Sequence, residues 1–467
     1  LLQSPRFLLA LWTGKAAIWL NRRIGHGGTS FPGTVSRKLA PSLLTALARQ
    51  LPQGSLFVTG TNGKTTTSKM IAAIAAGASI PVTHNRAGAN LIGGITTAFI
   101  DSASALGQLR GRLGIIEVDE ATVPQLVQEV QPRVVIVTNF FRDQLDRFGE
   151  LDKTVQLVSD ALGKLPKKSV VLLNADDPLV AHLGRFFPGK VIYYGMDDRH
   201  CGSATMQQSA ETRFCRACGH PLTYDWYYFG QLGHYRCTNC NLVRPQPSIV
   251  VRQIELRGEQ GSRFTVETPE QRFDLTLSTP GFYNIYNALA AVALAVQLKL
   301  PAQAIEKGLQ GYRTNFGRME QLPLPDNKKA FLALIKNPTG CDEVIRTVAQ
   351  PTGTKRLLVI INDNAADGRD ISWLWDADFE ALIPALPLIK QVQTAGLRGE
   401  DMALRLQYAG IPAEQLTYQS DIAQAIAGAI KDTQPGETLY ILPTYTALLA
   451  VKTALTKLGY SPNYWEE

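Results

Sequence analysis

The 467-residue chain has no apolar run of about 18 residues or more, so no transmembrane helix is expected. It also lacks the charged start, clean apolar stretch and small-residue cleavage site of a secretory signal. Charge of one sign is hardly in excess: 47 Lys and Arg against 40 Asp and Glu leave +7. That surplus suits phosphate-rich ligands or an anionic membrane surface, and is too small and dispersed to argue for nucleic acid. The 39 Gly and 26 Pro follow no period, which excludes a collagen-like chain, and no internal repeat is evident. With 45% hydrophobic and 19% charged residues, disorder is excluded too. Cysteine is sparse, at six residues. A disulfide framework belongs to short secreted chains, so a cytoplasmic compartment is expected.

What is present is an α/β pattern long enough for about two to four domains. Strand-like runs at 55–59, 113–118, 133–138, 169–174 and 190–195 alternate with helical stretches. The pattern restarts at 356–361, 389–395 and 438–443. Strands alternating with helices predict doubly wound parallel sheets, hence two α/β domains. Residues 1–50 read as a helical segment, 51–322 as a central domain and 323–467 as a second α/β domain. The boundary is placed at LPLPDNKK, where Pro and charge break the periodicity. Leu8, Trp12, Ala16 and Trp19 share one face of a helix near the start. A helix packed on the next domain is the favoured reading, and a helix touching anionic lipid the sharper one.

Three motifs carry chemistry. Gly60-Thr61-Asn62-Gly63-Lys64-Thr65-Thr66 follows a strand and opens a helix, the context of a phosphate loop. Backbone N–H groups and the helix N-terminus would wrap the phosphates, Lys64 would reach the β- and γ-phosphates, and Thr65 would bind Mg²⁺. Val58 stands where the usual pattern has its first Gly, so the loop is a shorter variant. Glu117 ends a strand, with Asp119 and Glu120 after it, where an open sheet leaves its ligand crevice. A carboxylate there is placed to hold the Mg²⁺ that bridges ATP phosphates. Asp143 and Asp146 follow the next strand and serve equally as helix caps. Cys215-x-x-Cys218 with Cys237-x-x-Cys240 matches a closed, structural Zn²⁺ ribbon, inserted at about 200–250 among several aromatics.

VTGTNGKTTT (58–67), EVDEA (117–121), TNFFRDQLDRFGE (138–150), NADDP (174–178), GFYNIYNALAA (281–291) and FGRME (316–320) run in the order seen in Mur ligases. The chain resembles these ATP-dependent ligases of peptidoglycan synthesis, and most closely their MurT-type branch. NDNAADGRDISWLWDADFE (362–380) and the four-cysteine insertion are similar to that branch. The resemblance implies a Mur-type central ATPase domain with a parallel sheet, an inserted zinc ribbon and a second α/β domain. It implies that Lys64 and Thr65 meet phosphates and Mg²⁺, that Glu117 is a magnesium ligand, that Asn284 and Asn287 lie at the nucleotide base, and that Arg318 reaches the nucleotide. Two departures stand out: Gln144 where the family has a metal-binding His, and Lys336-Asn337-Pro338 in place of His-Asn-Pro.

The implied reaction forms an acyl phosphate on a carboxylate, the D-glutamate α-carboxyl of the lipid II stem peptide. Ammonia then displaces phosphate to leave D-isoglutamine. Cys201 and Cys341 lack the elbow pattern of a glutaminase nucleophile, so if the ammonia derives from glutamine, another chain must make it. The resemblance names a GatD-type glutaminase. It also implies that an aspartate of 362–380 completes that partner's Cys–His pair. Asp363, Asp367, Asp370, Asp376 and Asp378 are available, and Asp367 and Asp370 flank a turn at Gly368. Trp373 and Trp375 are candidates for interface or core. About fifty residues precede the phosphate loop, too few for the domain that grips a soluble uridine nucleotide in ordinary Mur ligases. An amino acid-adding Mur or folylpolyglutamate-type ligase, and a non-enzymatic scaffold, are the rival readings.

Overall fold

A computed structural model describes residues 4–24, 30–85, 89–142, 151–205, 207, 212–314, 317–326 and 328–461. Asp143, Gln144 and Asp146 lie outside the described residues. The first sheet is built on β1 (Ser55–Thr59), buried at all five positions. Its sequence, SLFVT, carries no charge, as expected of a strand covered on both faces. β2 (Val82–His84), β3 (Leu113–Glu117), β4 (Val134–Val137), β5 (Val170–Asn174) and β6 (Lys190–Met196) join it in parallel. β1 lies between β3 and β4, so the chain crosses to opposite sides of β1 and its carboxyl end opens a crevice.

β7 (Leu222–Phe229) and β8 (Leu232–Cys237) form a separate hairpin. The chain then returns to the first sheet as β9 (Ile249–Leu256), parallel to β6, followed by β10 (Ser262–Glu267) and β11 (Arg272–Leu277), both antiparallel. β11 alternates exposed and buried residues, while β10 is buried at four of its six positions. Arg272 and Asp274 face out while Phe273 and Leu275 face in. The helix Lys64–Gly77 packs on one face of the sheet together with Tyr283–Gln297, which is buried without interruption from Asn284 to Ala295.

The second sheet orders β12 (Arg318–Pro323), β13 (Lys329–Ala333), β14 (Lys355–Ile360), β15 (Ile389–Ala395), β16 (Leu416–Gln419) and β17 (Thr438–Pro443) as β12-β13-β17-β14-β15-β16. Only β12 and β13 are antiparallel. The ends of LPLPDNKK therefore pair within a hairpin, Leu322 with Ala330 and Pro323 with Lys329, and the second sheet starts at Arg318. Pro323 is tolerated because β12 is an edge strand.

Three helices, Pro5–Ile24, Phe31–Leu39 and Leu43–Ala48, cover the opposite face of the first sheet. The first buries Phe7, Ala10, Leu11 and Ile18. Gly14 sits so close to its neighbour that a Cβ would meet Ser36 Oγ at 2.4 Å. The face expected from Trp12 and Trp19 is not the packed one. Trp12 is 51% and Trp19 56% exposed, beside exposed Leu9 and Leu20. The chain thus packs the helix by one stripe and leaves a second apolar stripe to solvent. No described helix is long and apolar enough to cross a membrane.

Candidate active site

The phosphate loop leaves β1 through Gly60 at φ +120° and enters the helix Lys64–Gly77 through Gly63 at φ +86°. Both positions need glycine. A Cβ on Gly60 would meet Thr138 Oγ1 at 2.3 Å, and one on Gly63 would meet Asn287 Oδ1 at 2.1 Å. Residues at the end of β4 hold the loop. Thr61 N donates to Asn139 O at 2.8 Å, Asn62 N to Asn139 Oδ1 at 2.9 Å, and Thr138 Oγ1 to Asn62 O at 2.8 Å.

Lys64 is 9% exposed. Its ammonium donates to Gly60 O at 2.5 Å and contacts Glu120 at 3.0 and 3.3 Å. Thr65 Oγ1 donates to Glu117 Oε1 at 3.0 Å. Glu117 is 3% exposed, and burial raises its carboxyl above the usual range, an effect Lys64 partly offsets. Asn85 fixes the backbone there, accepting from Glu117 N and donating to Glu117 O. A hydroxyl and a carboxylate oxygen together at a helix N-terminus are the hard donors that suit Mg²⁺.

Asn284 and Asn287 are bonded to each other at 3.0 Å, and Asn287 Oδ1 accepts from Thr67 Oγ1 at 3.5 Å. Asn287, Arg318 and the phosphate loop line one cleft between the two sheets. The second domain closes it through Lys336, Thr339 and Gly340. Asn337 Nδ2 donates to Asn62 Oδ1 at 3.1 Å, and Asn337 Oδ1 caps the helix Pro338–Val348 by accepting from Gly340 N at 2.8 Å. Asn337, which the Lys-Asn-Pro segment shares with His-Asn-Pro, thus touches the phosphate loop directly, and Lys336 lines the cleft beside it. Asn139, Glu120 and Asn337 lie in the segments that the sequence motifs mark, but their contacts with the phosphate loop are not readable from those motifs. Asn337 and Asn62 are 275 positions apart, and no local pattern joins them.

The four paired cysteines converge, with all four Sγ atoms within 4.8 Å of one another. Cys215 and Cys240 are 3.6 Å apart, and Cys218 and Cys237 3.5 Å. Tetrahedral Zn²⁺ with Zn–S bonds of about 2.3 Å would set its sulfurs about 3.8 Å apart, so the donor set fits that ion. The other two cysteines are not activated. Cys341 is buried in a helix with its thiol pushed well above the usual range, and burial pushes Cys201 up to about 11.

The loop after β14 separates its aspartates. Asp367 is 7% exposed and accepts from Thr446 N at 2.7 Å and Thr446 Oγ1 at 2.5 Å. Burial raises its carboxyl. Asp370 is exposed, and the backbone N–H of Ser372, at 2.8 Å, holds its carboxyl below the usual range. Asp363 pairs with Arg398, and Asp376 with Arg142. Trp375 is 52% exposed and meets Tyr408, itself 73% exposed, while Trp373 is partly buried against the core.

A glycine-turned phosphate loop at the switch of a parallel sheet, roofed by a second α/β domain, defines an ATP-dependent ligase of the Mur type. The Mur ligase middle-domain model matches residues 58–240, and the MurT ligase C-terminal model residues 334–448. The subunit MurT of lipid II isoglutaminyl synthase (glutamine-hydrolyzing) from Staphylococcus aureus strain COL is 35% identical over 96% of this chain and 97% of its own length. The same subunit from Streptococcus pneumoniae is 35% identical over 96% of each. The chain belongs to the MurT family of Mur ligases. A pseudomurein peptide ligase type C from Methanothermus fervidus shares the fold, with a TM-score of 0.66 at 22% identity over 88% of this chain and 80% of that one.

Proposed function

We propose that this chain is the ligase subunit of a lipid II isoglutaminyl synthase, amidating the D-glutamate α-carboxyl of the stem peptide. The observation that carries the reading is identity to MurT subunits spread over nearly the whole chain, with an intact phosphate loop and Glu117 at its centre. Lys64, released from Glu120, turns to the β- and γ-phosphates of ATP and offsets the charge that develops as the γ-phosphoryl moves to the carboxylate. Thr65 and Glu117 would hold Mg²⁺, which would supply positive charge to offset that of the phosphates. Asn287 and Arg318 position the nucleotide, and Asn337 draws the second domain against the loop. The acyl phosphate then meets ammonia at its carbonyl carbon, the new C–N bond forms and phosphate leaves. The closed cleft limits hydrolysis by water.

Neither Cys201 nor Cys341 offers a nucleophile for glutamine, which supports a separate GatD-type glutaminase. Asp370 rather than Asp367 is assigned to that partner. It is exposed, with its carboxyl held below the usual range, whereas Asp367 is buried. An ionised carboxylate that reaches a partner's His can orient it as triad acids do. Trp375 and Tyr408 give the same surface aromatic anchors. The solvent-facing stripe of Leu9, Trp12, Trp19 and Leu20 suits contact with the membrane surface that holds a lipid-linked substrate. The test is mass spectrometry of a lipid-linked muropeptide incubated with the chain and its glutaminase, ATP, Mg²⁺, ammonium and a mixture of free amino acids. One carboxyl converted to carboxamide, and lost in Lys64→Ala, is expected. An added amino acid instead would favour the ordinary Mur-type reaction.

A further inference from the structure

The four-cysteine ribbon takes no part in that reaction, yet its far end enters the nucleotide cleft. Cys215 and Cys218 precede β7 and Cys237 closes β8, so the thiolates sit at the root of the hairpin. β7 runs for eight residues, about 25 Å at roughly 3.3 Å per residue, and carries the chain from the thiolates to the cleft. At its tip, Phe229 lines the cleft with Asn62, Gly63, Asn287 and Arg318. The Phe229 ring meets Tyr286 edge-on at 5.5 Å and 82°, and Phe282 at 6.3 Å and 88°.

The tip is wedged among three bodies. Gly230, at φ +52°, lies so close to Phe141 and Thr339 that a Cβ would meet them at 2.7 and 3.3 Å. Gln231 is fully buried and donates to Phe140 O at 2.6 Å, one residue from the Asn139 that holds the phosphate loop. Tyr228 O accepts from Arg346 Nη1 at 3.2 Å, a bond to the second domain. The stem is tied down as well. Arg244 Nε donates to buried Asp176 at 2.6 Å, and the same carboxylate accepts from Tyr286 OH at 2.7 Å. Tyr286 is one residue from Asn287, so the tie reaches the helix that lines the cleft.

We propose that the hairpin tip is a wall of the nucleotide site, with Phe229 packing against the purine of ATP and the four-thiolate metal site holding that wall in place. An aromatic ring beside a planar base gives apolar and stacking contact. The hairpin has only two strands, too few to hold its shape alone, and needs its metal root. The proposal rests on Gly60–Thr66 being the phosphate loop, so the test separates the two readings with two ligands. ATP probes loop and base together, and inorganic tripolyphosphate probes the loop alone.

Binding of both is measured on the full chain by competition against a fluorescent ATP analogue, with zinc content read by elemental analysis. Phe229→Ala is expected to weaken ATP about tenfold, leave tripolyphosphate unchanged and keep its zinc, while Phe229→Tyr binds as the parent does. Lys64→Ala is expected to weaken both ligands. Chelation of zinc should reproduce the Phe229→Ala pattern, and added zinc should reverse it. Unchanged ATP affinity in Phe229→Ala, or equal loss of ATP and tripolyphosphate, overturns the wall. Unchanged binding of both ligands in Lys64→Ala overturns the phosphate-loop reading instead. If Phe229→Ala fails to fold, Phe229→Leu keeps the apolar volume without the flat ring and is held to the same criterion.

Discussion

Both sheets end in loops rich in acids and amides, and the two loops differ in how far their acids are exposed. Around β1 and β3 the polar groups turn inward. Lys64 closes on Glu120, Thr65 on Glu117, and Asn62 on Asn139 and Asn337. After β14, Asp367 is tucked under Thr446, but Asp370, Asp376 and Trp375 are displayed outward. The carboxyls differ accordingly: burial raises Glu117, and a backbone N–H lowers Asp370. A buried, costly carboxylate becomes favourable once a cation arrives with the substrate. An exposed, ionised one stays ready for a cationic or donor group that another chain brings. Under the proposed function, one loop carries the chemistry and the other meets the partner.

That contrast can be broken in several places. Lys64→Ala is expected to give the largest effect, a fall in ATP turnover of about 10³-fold or more, read as phosphate release. Turnover within tenfold of the parent would remove the first loop from the chemistry. Asp370→Asn in the ligase–glutaminase complex should cut glutamine-dependent amidation by about 10²- to 10⁴-fold while sparing the ammonium-driven reaction.

Asp367→Asn should instead cost about 1–3 kcal/mol of stability by leaving Thr446 with poorer acceptors, seen in thermal unfolding. If Asp367→Asn silences glutaminase and Asp370→Asn does not, the two assignments exchange. Trp12→Ser with Trp19→Ser should weaken binding to anionic vesicles about tenfold in co-sedimentation and leave phosphate release by the dissolved chain intact. Equal vesicle binding would show that this stripe is not the contact.

The smallest effect sharpens the burial argument. Because the folded pKa of Glu117 is raised, the stability it allows is present at low pH and lost as pH rises through that folded value. Glu117→Gln removes this loss. The melting temperature of the variant minus that of the parent should therefore grow more positive from about pH 4.5 to about pH 8, by a few degrees at most. A difference that shrinks over that range would mean that Glu117 is stabilised in its charged form without metal.

Much of this was legible along the chain because it is local. SLFVT followed by GTNGKTTT shows strand, turn and helix within twenty residues, and the folded elements are Ser55–Thr59 and Lys64–Gly77. The cysteine spacing likewise foretold the convergence of four thiols. What escaped depends on packing between distant segments. Asn337 reaches Asn62 only because two domains close on each other. Phe229 looked like one aromatic of many until the hairpin placed it in the cleft. The first helix carries two apolar stripes, and periodicity alone could not say which one the sheet would cover. β10 (SRFTVE) and β11 (RFDLTL) are hard to read from the sequence because charged and polar residues interrupt them, so they lack the continuous apolar run of the central strands.

The division of labour between the two loops is tested most directly by changing the nitrogen source. Mass spectrometry would follow amidation of a lipid-linked muropeptide by the complex, supplied with either glutamine or ammonium. The expected result is that Asp370→Asn amidates with ammonium and not with glutamine, while Glu117→Gln amidates with neither. Loss of both reactions in Asp370→Asn, or glutamine-driven amidation undiminished there, would contradict it.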